Sequence, residues 1–243
     1  MSLEDLREGI TIVTGTDTDV GKTVATAVLT RWLMDRGVAT TVCKPAQTGL
    51  SPDEPGDLAQ VARLTGLDEQ HLVEFTRLPE PLAPTTAARR AGITLPGVGE
   101  LADRLVALSR DCEALLVEGA GGVLVGLDDE GRTVLDLAHE LTRRGHRPSI
   151  VLVTRAGLGT LNHTGLSLSA LASCDLGPVG LVVGSWPRRP GLAERCNAEE
   201  LPHLAPVLGW LPEGLGEDPE AVARTALQLP QPPAAATAAP RPS

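Results

Sequence analysis

The stretch TGTDTDVGKT at residues 14–23 constrains the fold more than any other part of the sequence. It overlaps the apolar run ITIVTG at 10–15, which is typical of a buried strand, and leads directly into the helical pattern at 24–37. A glycine-containing turn between a strand and a helix presents backbone N–H groups to an anion, typically a phosphate. We therefore expect Lys22 to contact the outer phosphates and the Thr23 hydroxyl to ligate Mg²⁺.

The sequence of this loop departs from the usual phosphate-binding pattern. Five residues separate Gly15 from the GK pair, where the usual pattern has four, and Thr16 stands where a glycine would be. The loop also carries two acids, Asp17 and Asp19, which would repel a triphosphate. They either face a cationic or amine-bearing partner, lie away from the phosphates, or cap the following helix.

The rest of the chain alternates β-rich runs with helical patterns, which is typical of strand–helix–strand units around a parallel sheet. Further strands are predicted at 38–44, 113–119, 149–155, 178–185 and 205–211. Further helices are predicted at 57–64, 99–111, 133–145, 161–173, 192–201 and 217–228. The prediction is an α/β fold of the P-loop NTPase type: one domain over 1–228, with a mostly parallel central sheet and helices on both faces. The Pro- and Ala-rich tail at 229–243 is predicted to be disordered.

Charge and hydropathy exclude several classes of partner. The 31 acidic and 21 basic residues give a net charge of −10, which argues against nucleic acid or an anionic membrane as a partner. The sequence contains no apolar run of about 18 residues, and the start MSLEDLREGI lacks the pattern of a secretory signal. The four cysteines are widely spaced, so we expect a reduced, cytoplasmic protein. Only two of the basic residues are lysines, Lys22 and Lys44, and both fall in glycine-containing motifs.

The second of these motifs, KPAQTG at 44–49, follows the second predicted strand at the sheet edge where open α/β folds bind ligands. Lys44 can place a second positive charge over the phosphates, and Thr48 can offer a hydroxyl to a substrate. An ordinary turn built on Pro45 and Gly49 is the alternative. Asp57 stands at a predicted helix start, as a site residue or as a simple N-cap.

Two later motifs complete the set. VEGAGG at 117–122 ends a buried strand with Glu118, and an acid at the tip of a strand beside the phosphate loop is a typical Mg²⁺ ligand. A glycine-rich turn with an incidental glutamate is the alternative. GLGTLNHT at 157–164 precedes a predicted helix, whose first backbone N–H groups could bind an anion.

The four motifs, in this order and spacing over about residues 10–215, resemble those of dethiobiotin synthetase, the penultimate enzyme of biotin synthesis. The resemblance implies an ATP- and Mg²⁺-dependent ligase in which 7,8-diaminopelargonate and CO₂ form a carbamate. ATP phosphorylates this carbamate, and the neighbouring amine closes the ureido ring. It also implies a homodimer with the substrate near its interface.

The resemblance implies a role for each matching residue. Lys44 and Lys22 are expected to be catalytic, and the metal ligands are expected to be Thr23, Asp57 and Glu118. The expected nucleotide contacts are Asp19, Val20, Gly21, Lys22, Thr23, Val24, Asp57, Glu118, Gly119, Ala120, Gly121, Gly184, Ser185, Pro212, Glu213 and Gly214. The expected substrate contacts are Thr18, Thr48, Gly159, Thr160, Leu161 and Asn162, the last four holding the carboxylate of a substrate bound to the opposite subunit.

The sequence departs from the family pattern at two places. Asp19 stands where the loop often has Glu, and Gly184-Ser185 stands where well-known members have an Asn-Asp pair that reads adenine. The second departure leaves the base open between ATP and other nucleoside triphosphates. The phosphate loop alone would also fit a partition-type ATPase switch, but such a switch needs a basic surface or an amphipathic terminal helix. The synthetase part of a glutamine-dependent amidotransferase is a second alternative, but neither the length nor the contexts of the cysteines indicate a glutaminase domain with a nucleophilic Cys.

Overall fold

The computed structural model describes residues 1–174, 176 and 179–229 of the chain. Within that part the strands are β1 Gly9–Gly15, β2 Thr40–Thr48, β3 Leu72–Leu78, β4 Ala114–Gly122, β5 Ser149–Thr154, β6 Val179–Trp186 and β7 Val207–Pro212. They form one sheet in the order β3-β2-β4-β1-β5-β6-β7, and every paired neighbour is parallel. Except for Leu229, the predicted tail at 229–243 lies outside the described residues, so its disorder stays a prediction.

The described helices are α1 Lys22–Met34, α2 Asp57–Thr65, α3 Pro84–Ala91, α4 Val98–Leu108, α5 Val134–Arg143, α6 Thr160–Ser173, α7 Leu192–Leu204 and α8 Pro219–Gln228. Single 3₁₀ turns lie at Leu3–Leu6, Glu69–His71 and Leu215–Glu217. No helix in the described part of the chain is long and apolar enough to span a membrane.

Two apolar cores sandwich the sheet. One contains side chains of α1, α2 and α8, and the other contains side chains of α4, α5, α6 and α7. Successive residues of a strand point to opposite faces, so Val13 of β1 lies in the first core and Ile12 in the second. Coverage of both faces explains why the central strands are apolar runs rather than alternating ones. The predicted parallel α/β architecture is confirmed.

The sequence analysis assigned no element to residues 72–91, where the structure has β3 and α3. The predicted end of the second strand at residue 44 was also wrong, because β2 continues through Pro45 to Thr48. Pairing with β4 ends at Cys43, and β2 then pairs only with the edge strand β3. Proline is tolerated where a ladder hydrogen bond is no longer required, so Pro45 does not end the strand.

The site lies at the ends of two adjacent strands, β1 and β4, after which the chain continues to helices on opposite faces of the sheet. After β1 the chain enters α1 in the first core, and after β4 it reaches α5 in the second core. The carboxyl ends of β1 and β4 therefore open onto a crevice between the two helix layers. Open parallel sheets bind ligands at such a crevice.

Candidate active site

The phosphate loop at residues 15–21 is shaped by two glycines. A Cβ at Gly15 would lie 2.8 Å from Val20 Cγ2, and Gly21 adopts a left-handed φ of 94°. Gly21 is also the N-cap of α1 and provides no side-chain acceptor, so the first N–H groups of the helix remain available to an anion. Capping by Asp17 or Asp19, one of the sequence-based alternatives, is therefore wrong.

The two loop acids have different surroundings. Asp17 Oδ2 accepts a hydrogen bond of 2.9 Å from Arg155, just beyond β5, and its Oδ1 accepts one of 2.8 Å from the Thr18 N–H. The Asp17 backbone carbonyl accepts a hydrogen bond of 2.9 Å from Lys22 Nζ. Asp19 has a φ of 56°, which an aspartate tolerates better than most residues, and it lines the central cavity. Asp17 thus faces a cationic side chain of its own chain.

Lys44 lies at the centre of the site, between two carboxylates. Its Nζ is 2.6 Å from Asp57 Oδ2 and 2.8 Å from Glu118 Oε1, and it also donates to the Gly119 carbonyl at 3.3 Å. Lys44 is 4% exposed and Glu118 is fully buried. Three elements supply this cluster: β2 carries Lys44, β4 carries Glu118, and α2 begins at Asp57. The N-cap of α2 is Gly56, so the alternative reading of Asp57 as a simple cap is wrong.

The pKa values of the cluster follow from burial and mutual attraction. Burial opposes the charge on Lys44, but Glu118 and Asp57 outweigh it and raise the pKa of the ammonium. Burial likewise opposes ionisation of Asp57, but Lys44 outweighs it and lowers the pKa of this carboxyl. For Lys22, burial and the nearby Lys44 charge together lower the pKa. The crevice therefore holds a tightly paired lysine beside a less strongly paired one.

The oxygen atoms around Glu118 are of the kind that bind a divalent cation. Thr23 donates its hydroxyl to Glu118 Oε1 at 2.9 Å, while Glu118 Oε2 is buried without a hydrogen-bond partner among the described residues. A buried carboxylate oxygen normally has a partner, so this oxygen is available to a cation. Two carboxylates and a hydroxyl are hard oxygen ligands of the kind that Mg²⁺ prefers. Thr23, Asp57 and Glu118 are thus suited to hold Mg²⁺.

A cavity of about 850 Å³ opens over this cluster. Of the residues expected at the site, it brings together Thr18, Asp19, Gly21, Lys22, Thr23, Val24, Lys44, Thr48, Asp57, Glu118, Ala120 and Gly121. Val20 and Gly119 are buried behind its wall. The sequence analysis missed other lining residues: Ala46, Gln47, Gln60, Pro81, Leu82, Ala83, Pro84 and Val125. Gln47 lies within the KPAQTG motif, and closely spaced prolines such as Pro81 and Pro84 are typical of a turn. No sequence pattern indicates that Val125 lines the cavity.

The residues expected near the base form a separate group outside the cavity lining. Trp186 of β6 pairs with Pro212 of β7, so Ser185 and the turn 212–214 share one edge of the sheet. Gly184 packs so closely on the phosphate loop that a Cβ there would lie 1.8 Å from the Val20 carbonyl oxygen. Ser185 is exposed, and Glu213 Oε1 accepts the Arg188 N–H at 3.0 Å. Of these residues, Gly184 and Gly214 have no side chain, and the Glu213 side chain is bonded to the Arg188 backbone.

The start of α6 also lies apart from the cavity of its own chain. Gly159 is the N-cap in a left-handed conformation, and Leu161 and Asn162 are exposed. Thr160 is buried, and its hydroxyl lies 2.6 Å from that of Thr154. The four residues expected to bind a substrate carboxylate are thus not among those that line the cavity around Lys44.

Comparison with known proteins gives consistent matches over most of the chain. The family model described as an AAA domain matches residues 11–220. The ATP-dependent dethiobiotin synthetase BioD of Rhodococcus jostii is 50% identical over 209 residues, covering 85% of this chain and 87% of the relative. The enzyme of the same name from Streptomyces coelicolor is 47% identical over 219 residues, covering 89% of each chain.

A solved structure supports the fold alone. The signal recognition particle receptor FtsY of Elizabethkingia anophelis, in complex with GDP, superposes with a TM-score of 0.50 at 12% identity. The match covers 91% of this chain and 64% of that one. The two proteins share the phosphate-loop α/β architecture.

Proposed function

Because this chain belongs to the dethiobiotin synthetase family, we propose that the crevice between β1 and β4 is where it closes the ureido ring. The chain is an ATP-dependent ligase of that family. A partition-type ATPase switch is not favoured, because the curated relatives carry the synthetase name. The observation that carries the placement of the reaction is the convergence of both lysines, Asp57 and Glu118 on one cavity.

The proposed chemistry has three steps. One amine of 7,8-diaminopelargonate forms an N–C bond with CO₂ and loses a proton, which gives a carbamate. A carbamate oxygen takes the γ-phosphoryl group of ATP, and ADP leaves. The second amine attacks the carbamoyl carbon, the C–O bond to phosphate breaks, and ring closure releases phosphate and a proton.

The residues of the crevice match the charge that develops in these steps. Negative charge spreads over the transferring phosphoryl oxygens, and Lys22 and Lys44 supply two ammonium groups at the cavity wall. Residues 19–24 hold the triphosphate on the start of α1, and Thr18 and Thr48 contact the diamine. Mg²⁺, held by Thr23, Asp57 and Glu118, would neutralise charge on the β- and γ-phosphates.

We also propose that the chain works as a homodimer in the cytoplasm. The start of α6 carries Leu158 and Leu161 exposed to solvent, with 89% of Leu158 accessible, and Leu124 after β4 is 67% exposed. Apolar side chains in such positions are typical of an interface. In a dimer, Gly159, Thr160, Leu161 and Asn162 would bind the carboxylate of the diamine held by the partner.

The base preference is open because the base end lacks the Asn-Asp pair. We propose that Gly184, Ser185, Pro212, Glu213 and Gly214 surround the base mainly through their backbone, together with Gly119, Ala120 and Gly121 nearer the phosphates. Such a site would accept nucleoside triphosphates other than ATP. Comparing kcat/KM for ATP, CTP and GTP measures this directly, and a preference for ATP above about 100-fold would contradict it.

The test of the function is phosphate release from purified protein with Mg²⁺ and ATP. Strong dependence on both 7,8-diaminopelargonate and bicarbonate, with dethiobiotin identified as product, is the expected result. Release that ignores the diamine, or that is stimulated by DNA or lipid vesicles, would instead indicate the switch ATPase.

A further inference from the structure

The segment joining β2 to α2 determines where Asp57 lies, yet residues 51–55 of this segment bury no apolar side chain. Residues 51–55, SPDEP, are all exposed. Helix α2 begins directly after them at Asp57, and its N-cap Gly56 provides no side-chain acceptor. Leu58 and Val61 anchor the apolar face of α2 in the first core, but they leave the uncapped N–H groups at Asp57 and the exposed segment before it to other partners.

One holding contact comes from β2. Gln47 is 5% exposed, and its Oε1 accepts the backbone N–H of Asp57 at 2.9 Å. This hydrogen bond satisfies one of the free donors at the start of α2, so a residue of the sheet replaces the missing cap. A Cβ at Gly56 would lie 2.8 Å from the same oxygen, which shows how closely the backbone is seated.

The second contact comes from β3, where Arg77 pairs in register with Gln47. Its Nε and one terminal nitrogen bind the two carboxylate oxygens of Glu74 at 2.7 and 2.8 Å, which fixes the plane of the guanidinium. The other terminal nitrogen donates to the carbonyls of Ser51, Pro52 and Glu54 at 3.1, 3.3 and 2.5 Å. One side chain thus holds three carbonyls of the exposed segment.

We propose that Gln47 and Arg77 are positioning residues: together they hold the start of α2 so that the Asp57 carboxylate stays in the cluster with Lys44 and Glu118. Gln47 bonds to the backbone N–H of Asp57, and Arg77 bonds to Glu74 and to backbone carbonyls, so their hydrogen bonds do not go to the side chains of that cluster. Both act through the backbone of 51–57. The inference rests on the proposed function of Asp57 as a ligand of Mg²⁺, and it adds two residues to which no role is otherwise given.

The test compares Gln47→Met, which keeps length but loses the acceptor, with Gln47→Glu, which restores it. Arg77→Met is compared with Arg77→Lys, which cannot bind Glu74 and three carbonyls at once. Arg31→Met is the control, because Arg31 only pairs with Asp35 at the far end of α1. Two quantities are measured: hydrogen exchange of the 50–60 segment in nucleotide-free protein, and the Mg²⁺ concentration that half-saturates phosphate release.

We expect faster exchange in Gln47→Met and Arg77→Met, and half-saturating Mg²⁺ raised about tenfold, as outer-sphere partners of metal ligands usually give. In Arg77→Met the KM for diaminopelargonate should change less than about threefold, because the Arg77 hydrogen bonds go to Glu74 and to the carbonyls of the 51–54 segment rather than to the proposed diamine contacts. Gln47→Glu should restore the protection. If either Gln47→Met or Arg77→Met does not fold, the other variant still tests the positioning role.

Three results would overturn the proposal: unchanged exchange in both Met variants, equal effects in Arg31→Met, or a lowered Tm without any shift in Mg²⁺ dependence. If the wild-type protein itself releases phosphate without need of Mg²⁺ or diamine, the proposed function fails instead. The exchange measurement, which uses no nucleotide, still judges the positioning role in that case.

Discussion

Glu118 and Asp128 are equally hidden from solvent, at 0% and 1% exposure, but their surroundings differ completely. Both oxygens of Asp128 are saturated: they accept the N–H groups of Val98, Glu130 and Arg132 and the Arg132 side chain, at 2.8–3.1 Å. Glu118 has Thr23 and Lys44 on one oxygen and nothing on the other.

The difference separates a carboxylate that shapes the fold from one that we propose binds a cation. Asp128 ties the loop after β4 to the start of α4, and both its oxygens are hydrogen-bonded within the chain. Glu118 Oε2 has no hydrogen-bond partner among the described residues, which lowers the stability of the fold unless a cation binds there. Burial alone does not distinguish the two acids, but the unpartnered oxygen does.

The largest loss of turnover is expected when Lys44, the ammonium group paired with Glu118, is changed. In Lys44→Arg the charge remains but the compact ammonium is lost, so turnover should fall about 10²–10³-fold. We choose Arg because Lys44→Ala would also leave two carboxylates unpaired and cost about 3–5 kcal/mol of stability. Turnover is measured beside circular dichroism, and near wild-type turnover in folded protein would remove Lys44 from the chemistry.

Glu118→Gln is expected to lower activity next, by about 10- to 100-fold, chiefly through a higher Mg²⁺ requirement. The amide can still accept from Thr23, and Lys44 keeps its contact with Asp57. Titrating Mg²⁺ against phosphate release measures this. A variant with wild-type Mg²⁺ dependence would break the distinction drawn above.

Asp128→Asn should show the opposite behaviour. Losing the charge-assisted bonds to Arg132 and to backbone N–H groups should cost about 1–3 kcal/mol in the free energy of unfolding, while kcat of the folded enzyme stays unchanged. Urea denaturation and kcat determined on the same preparation give both numbers. A loss of kcat without a loss of stability would mean that Asp128 serves the site.

The smallest effect is a dependence on pH. Burial opposes ionisation of Asp128, but the N–H groups of Val98 and Arg132 outweigh it and lower the pKa of the carboxyl. A carboxyl whose pKa is lower in the folded state adds stability above its unfolded value, near 4, and loses it as the pH falls through the folded value. The stability gap between wild type and Asp128→Asn should therefore shrink below about pH 4, and a gap that is constant from pH 3 to 7 would contradict this.

Much of the charged part of the site could be predicted because it rests on side chains in local motifs. Lys22 and Thr23 follow one recognisable strand and Glu118 lies near the end of another, and the parallel sheet brings these ends together. Asp57 was expected at a helix start, although its partner Lys44 could not be known before β2 and α2 were placed side by side.

The remainder depends on contacts that leave no local pattern. β3 is an edge strand in which every residue except Leu78 is only partly buried, so LVEFTRL lacks a clear apolar pattern. α3 buries only Pro84 and two alanines, Ala87 and Ala88. Without β3, the contacts of Arg77 with the carbonyls of the 51–54 segment cannot be predicted from the sequence. The contacts expected near the base pose a similar difficulty, because any residue type can make a backbone contact.

The contact between Gly184 and Val20 has a consequence for how this site can change over generations. No side chain fits at position 184 unless the loop at 15–21 moves, so under the proposed function a single substitution there would disturb binding of the triphosphate before it could improve recognition of the base. Triphosphate binding and base recognition therefore cannot be changed independently at this position. An engineer who wishes to alter base choice in this chain should first select variants of residues 16–20, and only then introduce a side chain on β6.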